Sequence, residues 1–285
     1  MESKLNISEY LNCIKADLSE PIDSYKIIDR GWTNLVFEVN QRWIFRFVRD
    51  NSNRQIIVER NFLPKFAAVS PVKIPEIIFS DRYYIAYRKI PGERFSPARF
   101  ALFSQAQKTE LIELIANFLT SLHNFQFDHQ HLSTVPYGGG DFWHDLWLAV
   151  KDGLSVSTRD KAEKYFTDVI KKINTVPFEK TLIHADLGTN NILVDFEQNC
   201  LAGIIDFGDL CLGDPAADLA GFYRNFGRQF TEELISRYQR PIESNFWLRI
   251  DYESKRKLFF VAYFAKNYGY ENDVPQILQY IEKLF

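Results

Sequence analysis

The chain has 285 residues, with 34 Lys and Arg against 37 Asp and Glu, so its formal net charge is −3 while 46% of it is hydrophobic. That balance excludes a disordered chain and excludes nucleic-acid binding driven by bulk positive charge. A chain of this length buries a sizeable core in one large domain or two modest ones. The 25 Phe, 14 Tyr and 5 Trp stand against a single Met, so rigid rings build the core, with some available to line a cleft for a planar ligand. The opening residues lack the basic-then-apolar layout of a signal peptide. Apolar runs such as 258–265 fall far short of the roughly 20 residues needed to cross a bilayer. Cys13, Cys200 and Cys211 are odd in number and lack CxxC spacing, which predicts reduced, mostly buried thiols in a cytoplasmic protein, while the charge balance and short apolar runs predict no nucleic-acid or membrane partner.

In chain order, a short opening helix precedes a strand-rich region. Tyr25–Ile28 leads into a turn at Arg30-Gly31, and residues 35–40 and 42–48 alternate as strands. In the second of these Trp43, Phe45 and Phe47 share one face while Ile44, Arg46 and Val48 share the other, which sets a charge among apolar neighbours. Residues 54–66 read as a helix carrying Glu59, and 83–90 as a strand stopped by Pro91-Gly92. Beyond that break the pattern turns helical. Leu111, Ile115, Phe118 and Leu122 form the stripe of a buried helix over 106–124. Gly138–Gly140 forms a connection without the Lys-Ser/Thr of a phosphate loop, and a helix begins near Asp141. Residues 192–206 read as two strands around a turn at 197–199, and Asp214-Pro215 as a helix start with Asp214 at the N-cap. The remainder is helical, with Lys255-Arg256-Lys257 expected on a solvated face. His123, His129 and His131 do not have the pattern of a metal site.

The informative stretch is LIHADLGTNNILVDFEQNCLAGIIDFGD, residues 182–209. Asp186, Asn191 and Asp206 sit between apolar strands at a spacing that lets loop and hairpin converge on one point. Magnesium takes hard oxygen ligands, commonly one or two from protein with the rest from phosphate and water. Asn191 and Asp206 suit that role. Asp186 is then left to accept a hydroxyl proton and aim the oxygen at phosphorus, the division of labour in phosphoryl transfer.

His184-x-Asp186-Leu187-x-x-x-Asn191, followed by Ile205-Asp206-Phe207-Gly208-Asp209 and Gly213-Asp214-Pro215-x-x-Asp218-Leu219-Ala220, resembles the catalytic core of the aminoglycoside phosphotransferase family. With the WIFRF strand and Tyr268-Gly269-Tyr270, the resemblance is nearest to its 2''-O-phosphotransferase branch. It implies an α+β, two-lobed protein-kinase-like fold, with a small antiparallel-sheet lobe over residues 1–90 and a larger, mainly helical lobe over 91–285. The first would bind nucleotide and end in the hinge, and the second would carry catalysis and the acceptor.

Carried onto this sequence, the resemblance implies Asp186 as catalytic base and Asn191 and Asp206 as Mg2+ ligands, with His184 supporting the loop. Gly31 falls in the turn over the phosphates, and Arg46 with Glu59 clamps the phosphates of ATP or GTP. The family commonly has Lys at the position of Arg46, but a guanidinium also binds carboxylate and phosphate. Arg88 and Ile90 would offer backbone groups to the base, and Tyr87 stands at the gatekeeper position, where bulk favours GTP. The Trp43, Phe45 and Phe47 strand is a further candidate neighbour of the nucleotide. Ala185 replaces an Arg that in many protein kinases reads a phosphorylated loop, so activity without that modification is implied.

The implied acceptor is a hydroxyl of a small molecule, an aminoglycoside among the candidates, with Asp209 as a contact, and a monomer is expected. Residues 209–285 hold 11 acidic against 10 basic side chains, and Arg224 and Arg228 lie where the branch tends to be acidic. A polycation is disfavoured there. Another hydroxyl metabolite, a macrolide, or a nucleotide-binding regulatory role is the alternative.

Overall fold

The computed structural model describes residues 6–28, 34–49, 54–128, 132, 140–267 and 269–285. Gly31, His129, His131, Gly138, Gly139 and Tyr268 lie outside them.

The first lobe is a five-stranded antiparallel sheet formed by β1 (Tyr25–Ile28), β2 (Asn34–Val39), β3 (Trp43–Val48), β4 (Ile77–Ser80) and β5 (Tyr84–Arg88), in the order β1-β2-β3-β5-β4. Alternation gives it two apolar faces. Phe37, Val39, Trp43, Phe45, Phe47 and Tyr84 lie on the outer one, covered by Tyr10 and Ile14 of α1 (Ile7–Asp17). Each such ring, fully buried, contributes about 1.5–3 kcal/mol. The Trp43–Phe45–Phe47 face is therefore core packing under α1 and turns away from the cleft, because period-two geometry gives the cleft to Ile44, Arg46 and Val48.

On that inner face lies α2 (Arg54–Phe66), whose Ile56 packs with Ile85 and Tyr87. Farther along α2, Phe62 and Phe66 pack with Phe118 and Phe125 in the core of the second lobe. One helix thus ties both lobes together. The crossing between lobes bends at Gly92, whose φ of +132° suits glycine, and an added Cβ would lie 2.9 Å from Cβ of Ala202.

The second lobe opens with the short α3 (Pro97–Phe100) and centres on α4 (Gln105–Asn124), which starts with a Ser104/Gln107 capping box and buries the predicted Leu111, Ile115, Phe118 and Leu122 stripe. Against it lie β7 (Thr181–Ile183), β9 (Cys200–Ile204) and α7 (Ala216–Ile235), with β8 (Ile192–Asp195) paired to β9. A three-stranded sheet of order β6-β8-β9 uses β6 (Glu93–Arg94), and β7 pairs with β10 (Cys211–Gly213). A second cluster joins α5 (Gly140–Val150), α6 (Val156–Ile173), α8 (Phe246–Asn267) and α9 (Val274–Glu282) through Trp147, Phe166, Phe259 and Ile281.

Three readings need correction. Pro215, not Asp214, is the N-cap of α7; Asp214 instead accepts from the Ala216 N–H at 2.9 Å and from Arg249 Nε at 2.8 Å. The cysteines are free, but only Cys211 is buried, Cys13 being exposed and Cys200 intermediate. Lys255, Arg256 and Lys257 do not form one solvated face. All three are ion-paired, to Asp251, Glu253 and Asp186 respectively. Among the described residues no helix is long and apolar enough to cross a membrane.

Candidate active site

Strand pairing assembles the site. Ile183 lies opposite Cys211 in the β7–β10 pair, and Ile192 opposite Ile204 in the β8–β9 pair. The loop after β7, carrying Asp186 and Asn191, therefore comes beside the segment after β9, carrying Asp206. Two bonds join them: Ile205 N–H to Asn191 O at 2.9 Å, and His184 Nε2 with Ile205 O at 3.1 Å. His184 is fully buried, so its role is to support the loop.

Within the loop, Asn191 Nδ2 donates to Asp186 twice, to the backbone oxygen and to Oδ2, both at 2.9 Å. The other carboxylate oxygen, Oδ1, accepts from Lys257 Nζ at 2.8 Å. Burial works to raise the Asp186 pKa, but Lys257 outweighs it, aided by His184 and Asn191, and holds the carboxyl below its ordinary value. Asp186 therefore stays ionised at neutral pH. With Nδ2 committed to Asp186, Asn191 offers its carbonyl oxygen to a cation.

The other half of the site is an ion network. Arg46 bonds Glu59 through one nitrogen, at 2.6 and 2.8 Å to the two oxygens, and bonds Asp206 Oδ1 at 2.8 Å through another. Its planar fork spans two carboxylates, which a lysine point charge would do less well. Burial disfavours the Arg46 charge, but Asp206 and Glu59 outweigh it and secure protonation. Glu59 is fully buried, and that burial raises its pKa against the pull of Arg46. Tyr87 lies on the same sheet face, buried, where burial raises the pKa of its hydroxyl and the nearby Arg46 charge opposes that rise.

Two left-handed residues flank the chemistry: Ala185 at φ +67° and Asp206 at φ +68°. Such non-glycine backbone costs of order 1–3 kcal/mol each and persists only where neighbours fix it. At Asp206 the neighbours are Arg46 and Glu59, whose Oε1 accepts the Phe207 N–H at 3.0 Å. At Ala185 the fixing group is Asp218. Its carboxylate accepts the N–H groups of His184 and Ala185, each at 2.8 Å, and meets His123 Nε2 at 3.1 Å. Gly221, one turn along α7, lets the loop press down. A Cβ there would lie 2.2 Å from Leu187 O.

The remaining predicted residues are placed less centrally. Arg88 stacks its guanidinium over Trp43 at 3.6 Å, and the neighbouring Lys89 N–H is held by Arg42 O at 2.8 Å. Ile90 lies in the crossing between lobes, and its side chain packs beside Gly203 of β9. Asp209 accepts from Gln55 Nε2 of α2 at 3.0 Å and does not line the cavity beside Asp186. Burial first, then Asp186 and Asp206, raise the Asp209 pKa from 3.8 to about 6, with Lys257 opposing. The folded chain then retains a proton that the unfolded chain releases, so this group's contribution to stability is greatest below about pH 4 and falls as pH rises to about 6. Asp209→Asn should remove that loss. The melting temperature of the variant relative to the parent is expected to rise between pH 4 and pH 7, and a constant difference across that range would refute the assignment.

Sequence reasoning did not foresee the roles of Lys257, Asp218, His123 or Gln55. The motif contained Asp218, and its buried place at the start of a helix was the one available signal.

The hard-oxygen pair Asn191 and Asp206, with Asp206 half exposed at 48%, fits a cation that takes its other ligands from phosphate. Among the described residues no three His, Cys, Asp or Glu side chains cluster as a metal site.

Comparison with known proteins matches residues 24–253 to the model of a phosphotransferase enzyme family. Viomycin phosphotransferase of Streptomyces vinaceus is 22% identical over 158 residues, covering 54% of this chain, so the match spans about half (53%) of that relative's length. Similar solved structures include a 2''-aminoglycoside phosphotransferase with GDP and kanamycin (20% identity, 96% and 97% of the two chains, TM-score 0.82). Another is an aminoglycoside 2'-phosphotransferase with GDP (22%, 98% of each chain, 0.83). A macrolide 2'-phosphotransferase aligns at 18% identity over 99% and 98%, with a TM-score of 0.68. At these identities the likeness establishes a common two-lobed, kinase-like fold.

Proposed function

The chain belongs to the phosphotransferase enzyme family, and from that premise we propose that it transfers the γ-phosphate of a nucleoside triphosphate to a hydroxyl of a small molecule. The observation that carries this reading is the junction of two networks. The Asp186–Asn191 pair comes from the second lobe, and the Arg46–Glu59 pair from the first reaches across to Asp206.

In this reading residues 1–90 hold the donor and residues 91–285 hold the acceptor. Asp186, ionised and fixed through both oxygens, accepts a hydrogen bond from the acceptor hydroxyl, orients it in line with phosphorus and takes its proton as the bond to phosphorus forms. Arg46, set by Glu59, places fixed positive charge against the donor phosphates. The backbones of Arg88 and Ile90 would meet the base. Asn191 and Asp206 would hold Mg2+, which when bound neutralises charge on the phosphate oxygens. The residues assigned to the site all belong to one chain, which supports a monomer, and use of a nucleoside triphosphate supports a cytoplasmic setting.

The bulk of Tyr87, buried on the sheet face that carries Arg46, supports GTP as a donor at least competitive with ATP. Steady-state kinetics with each nucleotide should give turnover of similar size, and absence of turnover with GTP would remove that part. The reading as a whole is tested by nucleotide consumption across aminoglycosides, macrolides and small hydroxy compounds. Acceptor-dependent release of nucleoside diphosphate is expected, and no release with any of them would overturn it.

A further inference from the structure

A cavity of about 290 Å³ opens directly beside Asp186, walled by the end of α6, the face of α7 that presses on the catalytic loop, and α8. That volume is at the small end of the roughly 300–1,000 Å³ typical of ligand sites. Ile170, Ile173, Phe178 and Leu187 give the cavity an apolar wall. Its charges are the informative part.

Three carboxylates line it, and each already has a cation. Lys257 pairs with Asp186 at 2.8 Å, Arg249 with Asp214 at 2.8 Å, and Arg256 with Glu253 at 2.5 Å. Two further cations line it, Lys180 and Arg224, and among the described residues neither has a carboxylate at ion-pair distance. Among the described residues Arg224 makes one long hydrogen bond, from Nη1 to Ser254 O at 3.5 Å. It lies three residues beyond Gly221, so it shares the helix face that meets the Asp186 loop. The unbalanced charge of the cavity is therefore positive, and a polycation would find its acids already paired.

We propose that the acceptor is an anionic hydroxyl compound with an apolar body: its hydroxyl meets Asp186, and a carboxylate or similar anionic group meets Arg224, with Lys180 adding charge. The proposal rests on the phosphotransferase reading for the chemistry, and on the cavity alone for the binding. A guanidinium receives a carboxylate through two parallel hydrogen bonds, which fixes orientation as well as charge.

The test uses the full chain and a panel of hydroxy acids of increasing apolar length, with ω-hydroxyhexanoate and ω-hydroxyhexanamide as the matched pair and kanamycin as the polycation. Calorimetry reads binding, and steady-state kinetics with Mg2+ and nucleotide reads turnover. The acid should be preferred over the amide by about 10- to 100-fold in affinity and kcat/KM. Arg224→Gln should erase that preference by raising KM for the acid while KM for the amide stays put, and Lys180→Gln should weaken it. A melting curve matching the parent verifies that each variant is folded. Equal use of acid and amide, or preference for kanamycin, overturns the proposal. So does an Arg224→Gln variant that lowers kcat equally for both acceptors, since Arg224 would then serve the transferring phosphoryl group. If no nucleotide is consumed with any acceptor but the acid still binds in preference to the amide, and Arg224→Gln erases it, the phosphotransferase reading fails while the anion site stands.

Discussion

Asp186→Asn is expected to lower kcat by about 10²- to 10⁴-fold, the usual contribution of a positioned proton acceptor, with the nucleotide KM nearly unchanged. An amide occupies the same volume but cannot take the hydroxyl proton. It also meets its neighbours less well. Asp186 accepts from Lys257 on one oxygen and from Asn191 on the other, and an amide has one accepting oxygen to offer. Because the Asp186 side chain is 41% exposed, water relieves the resulting mismatch, and the melting temperature should barely move. Asp206→Ala should look different. It removes both an oxygen ligand for Mg2+ and the second partner of Arg46, so turnover is expected to vanish and nucleotide binding to weaken. Parent-like kcat in Asp186→Asn would refute the assignment of the proton acceptor, and a parent-like rate in Asp206→Ala would refute the metal assignment.

Those two carboxylates were legible because their information is local. Asp186 and Asn191 lie five residues apart on one loop, and Asp206 returns on the next hairpin. Arg46 and Glu59 could be named from their order along the chain, but the bond from Arg46 to Asp206 could not, since 160 residues separate the partners. The run Lys255-Arg256-Lys257 shows why composition misled. Consecutive helix residues point about 100° apart, so the run faces three directions and its members meet Asp251, Glu253 and Asp186 separately. A regional charge count close to neutral likewise concealed which charges were paired. The surplus at Arg224 and Lys180 emerges only when α6, α7 and α8 close around one cavity. The aromatic face of β3 was legible as a face, but which side of the sheet it served depended on where α1 packs.

Asp218→Asn should lower stability and turnover together. The carboxylate of Asp218 accepts from two backbone N–H groups at 2.8 Å and meets His123, in a fully buried position. An asparagine there turns an NH2 group toward at least one of these partners whichever way its amide points. Each buried group left unpaired costs about 1–3 kcal/mol, and each kcal/mol lowers the melting temperature of a domain this large by roughly 2–4 °C. Activity follows because Ala185 holds its φ of +67° only while its N–H is anchored. As that residue relaxes, Asp186 beside it shifts, and a misplacement of about 1 Å can cost about 10²-fold in rate. Gly221→Ala tests the same coupling from above, since its Cβ must displace Leu187 O, the residue after Asp186. In both variants the rate should fall with nucleotide affinity largely kept, because Arg46 and Glu59 belong to the other network. The pairing of lost rate with lost stability separates these variants from Asp186→Asn, where only the rate falls. Parent-like melting and kcat in Asp218→Asn would show that the loop holds its shape without α7.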